Sequence, residues 1–409
     1  MAKRTFWLTV SLVNLCVVAF LGFTLRSKIL FALPFIDYRN TLSAHSHTAF
    51  GGWVGLSLIT LLIYDILSEP FCNKKVYRWV LMCIEISSLG MALLFPFLGY
   101  QKITILFSDL YVVAVVVFVF TFTADIIKTA THPTVKLLTI SAVVSLMLSF
   151  IGTAGLAYII VAHSTSSLLY RDSIYIFLHF QYNGFFTFSV FALLINYIIK
   201  KGVLPGRSMK LFSLFLCLSV APALFLSLLW HNLPLFNAFG VLACIFIIAS
   251  LFFFFMFIKS LDLKRLFLFR MARTFLIFSI VSFVIKMLLQ VGTIYPGLGD
   301  AVYGDRPVII GFLHLVFLGF VSFFILSNMI QSGYFMNNGK TAFFPFIVFS
   351  TGIISNEVIL ATQGMGILFK TNNTLYAWLL WGAAILLFWG AVLILSARLM
   401  VISTKRKPR

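Results

Sequence analysis

The chain has 409 residues, of which 61% are hydrophobic and 10% are charged, and its formal net charge is +19 at pH 7. A soluble domain does not carry this much apolar surface, whereas apolar runs of about 20 residues are typical of membrane helices. The composition therefore excludes a soluble globular enzyme, and it explains the positive charge by cationic loops at a membrane surface rather than by a nucleic-acid partner.

Twelve apolar runs follow one another, each long enough to cross a hydrocarbon core of roughly 30 Å. Backbone groups in lipid must be satisfied internally, so runs of this length predict helices. We expect an all-α, polytopic membrane protein with spans near 6–25, 45–67, 79–99, 106–127, 138–162, 175–199, 211–230, 237–258, 274–293, 307–330, 343–362 and 376–401. The basic start before the first run resembles a signal peptide, but no small-residue cleavage site follows, which favours a retained first helix.

Lysines and arginines are distributed unevenly between alternate loops. With a cytoplasmic N-terminus, 22 of the 30 fall in inside segments, which predicts that both termini are cytoplasmic. The basic tail at 405–409 then lies at the inner lipid surface. We expect an integral protein of a bacterial inner (cytoplasmic) membrane.

One motif occurs three times at a nearly constant spacing. An arginine is followed by a histidine eight residues later, and an aromatic, a glycine and an aromatic lie three, five and six residues beyond that histidine. The copies are Arg39, His47, Phe50, Gly52 and Trp53; Arg171, His179, Tyr182, Gly184 and Phe185; and Arg306, His314, Phe317, Gly319 and Phe320. Since the histidines are 132 and 135 residues apart, the spacing predicts one membrane domain, 1–409, of three pseudo-repeated four-helix blocks at approximately 1–130, 131–265 and 266–409.

Each motif histidine falls near the predicted outer end of the second helix of its block, and pseudo-threefold packing would bring these helices towards one axis. Histidine within a span suggests function, and neutral imidazole is the commonest protein ligand of haem iron and copper. Arg39, Arg171 and Arg306 at the outer surface suit carboxylates such as haem propionates. In the alternative interpretation, the histidines hydrogen-bond between helices and the arginines anchor the interface.

Two further histidines are candidates. His45 lies two residues before His47, so the two rings point roughly 200° apart and cannot ligate the same side of one site. His45 either serves a second cofactor or forms a hydrogen bond at the helix start. His231 closes the seventh span at the depth of the motif histidines, where it and His179 are candidates for a two-histidine copper site; an exposed loop histidine is the alternative.

The other charges within the spans are Glu85, Lys286 and Glu357. Lone carboxylates in a membrane can act as proton-relay stations, and a lone lysine can pair with one of them. Both glutamates fall in the third helix of their block before similar runs, at 90–95 and 364–369. This similarity supports the repeat more than it supports a proton path.

Twelve helices in three blocks, with histidines near the outer side of helices 2, 6, 7 and 10, resemble subunit I of the haem-copper oxidase superfamily. The run at 44–55, Ala-His-Ser-His-Thr-Ala-Phe-Gly-Gly-Trp-Val-Gly, is similar to a His-x-His-x-x-x-x-Gly-Trp segment of the C-type oxidases, where it lies in helix 10. The resemblance implies that His314 and His47, or alternatively His45, bind haem, and that His179 and His231 bind copper. This ligand set is reduced, and the NnrS family of haem- and copper-associated membrane proteins, linked to nitric oxide, is also similar.

The resemblance implies a role in respiration or nitric oxide metabolism, with a separate redox partner protein. The haem is expected to be b-type, because the five cysteines form no Cys-x-x-Cys-His attachment site, and copper is a second candidate cofactor. If the protein turns over, it is expected to be an oxidoreductase of the haem-copper oxidase or nitric oxide reductase type. The alternative function is a permease or a structural membrane protein whose histidines join helices.

Overall fold

The computed structural model describes residues 2–335, 343–368 and 373–406, and the regular structure in these ranges is helical throughout. Twelve of the helices described are long and apolar enough to cross a membrane, which confirms the prediction of an all-α polytopic membrane protein. They are α1 (Lys3–Leu30), α2 (Tyr38–Ile66), α3 (Lys75–Leu98), α4 (Lys102–Lys128), α5 (Pro133–Val161), α6 (Ser167–Lys200), α7 (Arg207–Ser227), α8 (Pro234–Lys259), α9 (Arg270–Gly292), α10 (Arg306–Gln331), α11 (Phe344–Gly366) and α12 (Leu375–Ser403). The residues at 407–409 of the predicted basic tail lie outside the described ranges.

Two of the three motif helices begin earlier than the apolar runs predict. The second span was expected from 45 and the sixth from 175, whereas α2 begins at Tyr38 and α6 at Ser167. The side chains of Asp37 and Ser166 accept hydrogen bonds from the first backbone N–H groups, and this capping extends each helix through a polar turn. His47 and His179 consequently lie about two and a half and about three turns inside their helices.

Helices α2, α6 and α10 form the centre of the bundle. In their most apolar stretches, 78% of α2, 89% of α6 and 50% of α10 is buried inside the protein. Phe50, Phe186 and Phe317, one from each helix, contact one another with ring centroids 4.4 to 5.9 Å apart. Trp53 Nε1 donates to Ser322 Oγ at 2.7 Å, which joins α2 to α10. The three histidine-bearing helices therefore meet, as the symmetry argument predicted.

Each motif glycine faces a serine on a neighbouring helix. An added Cβ would lie 2.3 Å from Ser88 Oγ at Gly52, 2.3 Å from Ser145 Cβ at Gly184, and 2.7 Å from Ser282 Oγ at Gly319. Such distances leave no room for a side chain, so these glycines allow close approach between helices, as small residues commonly do in membranes.

The other nine helices surround this centre. Trp381 Nε1 donates to Ser27 Oγ at 3.0 Å, which brings α12 against α1 and joins the two ends of the chain. One hydrophobic core extends from α1 to α12. Large apolar side chains on the outer helices point away from it, among them Leu93, Phe120 and Phe252, each at least 60% exposed. An apolar perimeter of this kind suits a lipid bilayer.

Candidate functional site

Each motif histidine lies at a junction between an α-helical and a π-helical segment. His47 directly precedes the π-helix Thr48–Gly55, His179 precedes Phe180–Phe186, and His314 precedes Leu315–Ser322. π-Helical residues are well under 1% of those in globular proteins and occur frequently at functional sites. The five-residue spacing from histidine to glycine is the separation that a π-helical hydrogen bond joins. The motif therefore coincides with an unusual backbone in all three copies.

The ring of His45 packs against α1. Its Nδ1 lies 3.1 Å from the carbonyl oxygen of Val18. A Cβ on Gly22 would lie 3.1 Å from His45 Cε1, so the glycine makes room for the ring. Because a carbonyl oxygen only accepts, Nδ1 carries the proton and the neutral ring keeps its lone pair on Nε2. That Nε2 has no hydrogen-bond partner in the part of the chain that the structure describes.

His314 has the same arrangement on α10. Its Nδ1 lies 2.8 Å from the carbonyl oxygen of Ile310, one turn earlier. Nε2 is again left without a hydrogen-bond partner among the described residues. His45 and Arg26 both lie within electrostatic range of His314. The imidazoles of His45 on α2 and His314 on α10 thus share one tautomer and lie within electrostatic range of each other.

Two arginines accompany this pair of rings. Arg26, half-buried on α1, has neither a hydrogen bond nor an ion pair within the described ranges, and it lies within electrostatic range of both histidines. The guanidinium of Arg306 lies over the ring of Tyr38, 6.0 Å from its centroid. Tyr38 is in turn within electrostatic range of Arg26. We refer to Arg26, Tyr38, His45, Arg306 and His314 as the histidine–arginine cluster.

His47 faces a different neighbour. Its ring stacks on Phe95 with centroids 5.1 Å apart, and its Nε2 lies 3.2 Å from the hydroxyl of Tyr100. The exposed Arg39 is within electrostatic range of the same tyrosine. His45 and His47 therefore project towards α1 and α3 respectively, as their two-residue spacing predicted.

His179 is fully buried and is hydrogen-bonded at both ring nitrogens. Nε2 lies 2.8 Å from the carbonyl oxygen of Val220, and Nδ1 lies 3.0 Å from Asn183 Nδ2. The first contact joins α6 to α7. A copper ion at this ring would require one of these bonds to open, and copper binding by His179 stays a prediction.

His231 lies in a short turn after α7, where it contacts the start of α6. Its Nε2 is 3.1 Å from Asp172 Oδ1, and the guanidinium of Arg171 lies 4.9 Å from the centroid of the Trp230 ring. These two contacts hold the turn against α6. Within the described ranges, no three histidine, cysteine or carboxylate side chains are grouped to hold a metal ion.

Lys286 is buried on α9 without an acidic partner. The neighbours of its ammonium are the Met287 sulfur at 3.6 Å and the Phe283 ring at 5.9 Å, and no carboxylate of a described residue lies within 4 Å. Glu85 and Glu357 are each hydrogen-bonded to an asparagine, and within the described ranges neither pairs with Lys286.

Several residues of the site were missed by sequence reasoning. Arg26 was treated only as a loop charge, and Tyr38 was not considered. Asp172 directly follows the motif arginine, and Asn183 lies one helical turn after His179. The position of these two residues next to the motif could have identified them as site residues. Arg26 had no such signal, because it is distant from His314 in sequence and comes within electrostatic range of it only in the folded bundle.

Comparison with known proteins adds no name to this geometry. No protein-family model matches the chain, and no curated protein matches it significantly.

Proposed function

We propose that this chain is a haem-binding integral membrane protein in which His45 and His314 would hold a b-type haem. One observation carries the proposal: each ring donates its Nδ1 proton to a backbone carbonyl and keeps an unpaired Nε2. Metal-ligating histidines commonly hold their second nitrogen in this way, which fixes the tautomer and orients the ring. Neutral imidazole nitrogens are the donors that haem iron takes in many proteins.

The arginines of the cluster suit the carboxylates of the same group. Arg26 is half-buried and has no counter-charge among the described residues, a costly state within a membrane that a propionate would relieve. Arg306 lies beside Tyr38 in the same cluster. Of the other arginines predicted for this role, Arg171 stacks on Trp230 and Arg39 is exposed near Tyr100.

When bound, haem supplies one-electron transfer or binding of a diatomic gas such as nitric oxide. The protein's own part is to hold both imidazoles neutral, through the carbonyls of Val18 and Ile310, and to keep the group in a low-dielectric bundle. Together with the resemblance to haem-copper oxidase subunit I and to NnrS proteins, this favours a role in respiration or nitric oxide metabolism with a separate redox partner.

We also propose that the chain consists of three four-helix blocks with both termini cytoplasmic, in a bacterial inner membrane. The α–π junctions and the glycine–serine contacts recur at matching motif positions, which supports the repeat. The excess of lysine and arginine in alternate loops supports the orientation.

A second candidate function, a permease or structural membrane protein, is favoured by His179. Its Nε2 contacts Val220 O across the interface of α6 and α7, which is how a purely structural histidine behaves. The two candidates are separated by whether the histidine–arginine cluster binds haem.

The first test is the reduced-minus-oxidised absorbance spectrum of protein purified from a haem-replete host. We expect a Soret band, with His45→Ala and His314→Ala each lowering the haem content and shifting the band. His47→Ala should leave the band in place, because that ring faces Phe95 and Tyr100. His132→Ala is a matched control, since His132 caps the start of α5 through Thr134 N.

The controls separate lost ligation from lost folding. Each variant is checked for an unchanged elution volume and helical circular dichroism before its spectrum is interpreted. Wild-type protein that is folded but lacks a Soret band contradicts haem binding. A band that is insensitive to His45→Ala and His314→Ala but lost in His47→Ala contradicts the ligand assignment.

A further inference from the structure

A second polar cluster, separate from the histidine–arginine cluster, surrounds Gly52 where α1, α2 and α3 meet. Asn14 Nδ2 donates to the Gly52 carbonyl at 3.0 Å and to Glu85 Oε2 at 2.6 Å. A Cβ on Gly52 would lie 2.3 Å from Ser88 Oγ and 3.1 Å from Asn14 Cγ. Side chains from two helices therefore converge on the bare Cα of a glycine in the third.

Two oxygens of this cluster are buried without a hydrogen-bond partner among the described residues. They are Asn14 Oδ1 and Ser88 Oγ, and both residues are 0% exposed. The asparagine cannot be turned to satisfy its oxygen, because its Nδ2 already donates to two oxygen acceptors. A buried acceptor left without a donor or a cation costs about 1–3 kcal/mol. The two unpartnered oxygens therefore indicate that a ligand binds here, either a hydrogen-bond donor or a cation.

The charge of the cluster selects the kind of ligand. Glu85 has no ion pair with any lysine, arginine or histidine in the ranges described. The donor atoms are a carboxylate, an amide oxygen and a hydroxyl, the oxygen set that hard cations prefer. One carboxylate balances one positive charge. A water molecule would satisfy the two neutral oxygens, whereas a cation would satisfy them and also compensate the half-buried carboxylate.

We propose that Asn14, Glu85 and Ser88 form, beside Gly52, a binding site for one monovalent cation, with Na⁺ as the expected ion. The side chains that would bind the ion come from α1 and α3 and lie beside the π-helical segment of α2. The bound ion would therefore link these three helices. The site is independent of haem, because none of its residues belongs to the histidine–arginine cluster.

The test is thermal unfolding of the purified full chain in NaCl, KCl or choline chloride at equal ionic strength. We expect the unfolding midpoint to rise with Na⁺ and to saturate, as it does when a ligand binds only the folded state. Glu85→Gln and Ser88→Ala should abolish the Na⁺-specific rise. Ser250→Ala is the matched control, because Ser250 on α8 is equally buried with an unpartnered hydroxyl but lies outside the site.

A second measurement uses the wild-type protein alone. We expect it to retain ²²Na⁺, and we expect unlabelled Na⁺ but not choline to displace the bound ²²Na⁺. Equal stabilisation by all three salts, or no retained ²²Na⁺, overturns the proposal, as does an Na⁺ response that survives both Glu85→Gln and Ser88→Ala. The haem spectrum is recorded in the same samples, so the two proposals are judged separately.

Discussion

Replacing Asp65 by alanine is expected to lower the free energy of unfolding by about 3 kcal/mol. Asp65 lies at the end of α2 opposite the motif histidines, where Arg4 Nη2 donates to its Oδ2 at 2.8 Å and Arg4 Nε lies 2.6 Å from its Oδ1. The two side chains are only 14% and 24% exposed. Removing the carboxylate leaves a largely buried guanidinium without its counter-charge, which is the costly way to break such a pair.

The lost carboxylate lies where four helices meet, although alanine keeps the backbone carbonyl of residue 65. The same Arg4 Nη2 donates to Asn328 Oδ1 on α10 at 2.9 Å. The backbone carbonyl of Asp65 accepts from Asn196 and Lys200 on α6 at 2.9 and 2.6 Å. The motif helices α2, α6 and α10 thus meet here together with α1, as they also meet at the central phenylalanines.

Chemical unfolding in detergent micelles measures this change. Arg265→Ala is the control, because its pair with Asp262 spans 3.6 Å between side chains that are 89% and 57% exposed. Pairs of that kind contribute between 0 and about 1 kcal/mol. The double variant Arg4→Ala/Asp65→Ala should lose less stability than the sum of the single variants. An Asp65→Ala loss no larger than that of Arg265→Ala would show that the pair is not structural.

The membrane architecture was predictable because it depends on local composition. Twelve apolar runs gave twelve helices, since each run satisfies its own backbone and needs no knowledge of its neighbours. The meeting of α2, α6 and α10 followed from the period of the motif. The predicted helix starts were less accurate at Tyr38 and Ser167, because capping residues rather than apolar residues set these two boundaries.

The candidate site was predictable only in part. The motif identified His314, but which of His45 and His47 stands near it depends on contacts distant in sequence. His45 contacts Val18, 27 positions away, and Arg26 of α1 comes within electrostatic range of His314 only in the folded bundle. The π-helical segments were also not foreseen, because helix propensity and periodicity do not distinguish them from α-helix.

The second large effect is expected at the motif glycine of α6: Gly184→Ala should lower the free energy of unfolding by about 1–3 kcal/mol. Its new Cβ would lie 2.3 Å from Ser145 Cβ and 2.5 Å from Ser145 Oγ, so α5 and α6 must separate. Gly382→Ala is the control, since no atom lies within 4 Å of the added methyl group and the glycine sits within α12. Unfolding in detergent reports both variants.

A second substitution identifies the cause of that loss. Ser145→Gly removes both clashing atoms, so Gly184→Ala/Ser145→Gly should be more stable than the two single losses predict, by about 0.5–3 kcal/mol. Ser145→Ala keeps the Cβ and should give no such recovery. If Gly184 were instead required for the backbone conformation of the π-helix, neither Ser145→Gly nor Ser145→Ala would restore stability. Recovery confined to Ser145→Gly therefore assigns the motif glycine of α6 to close packing between helices.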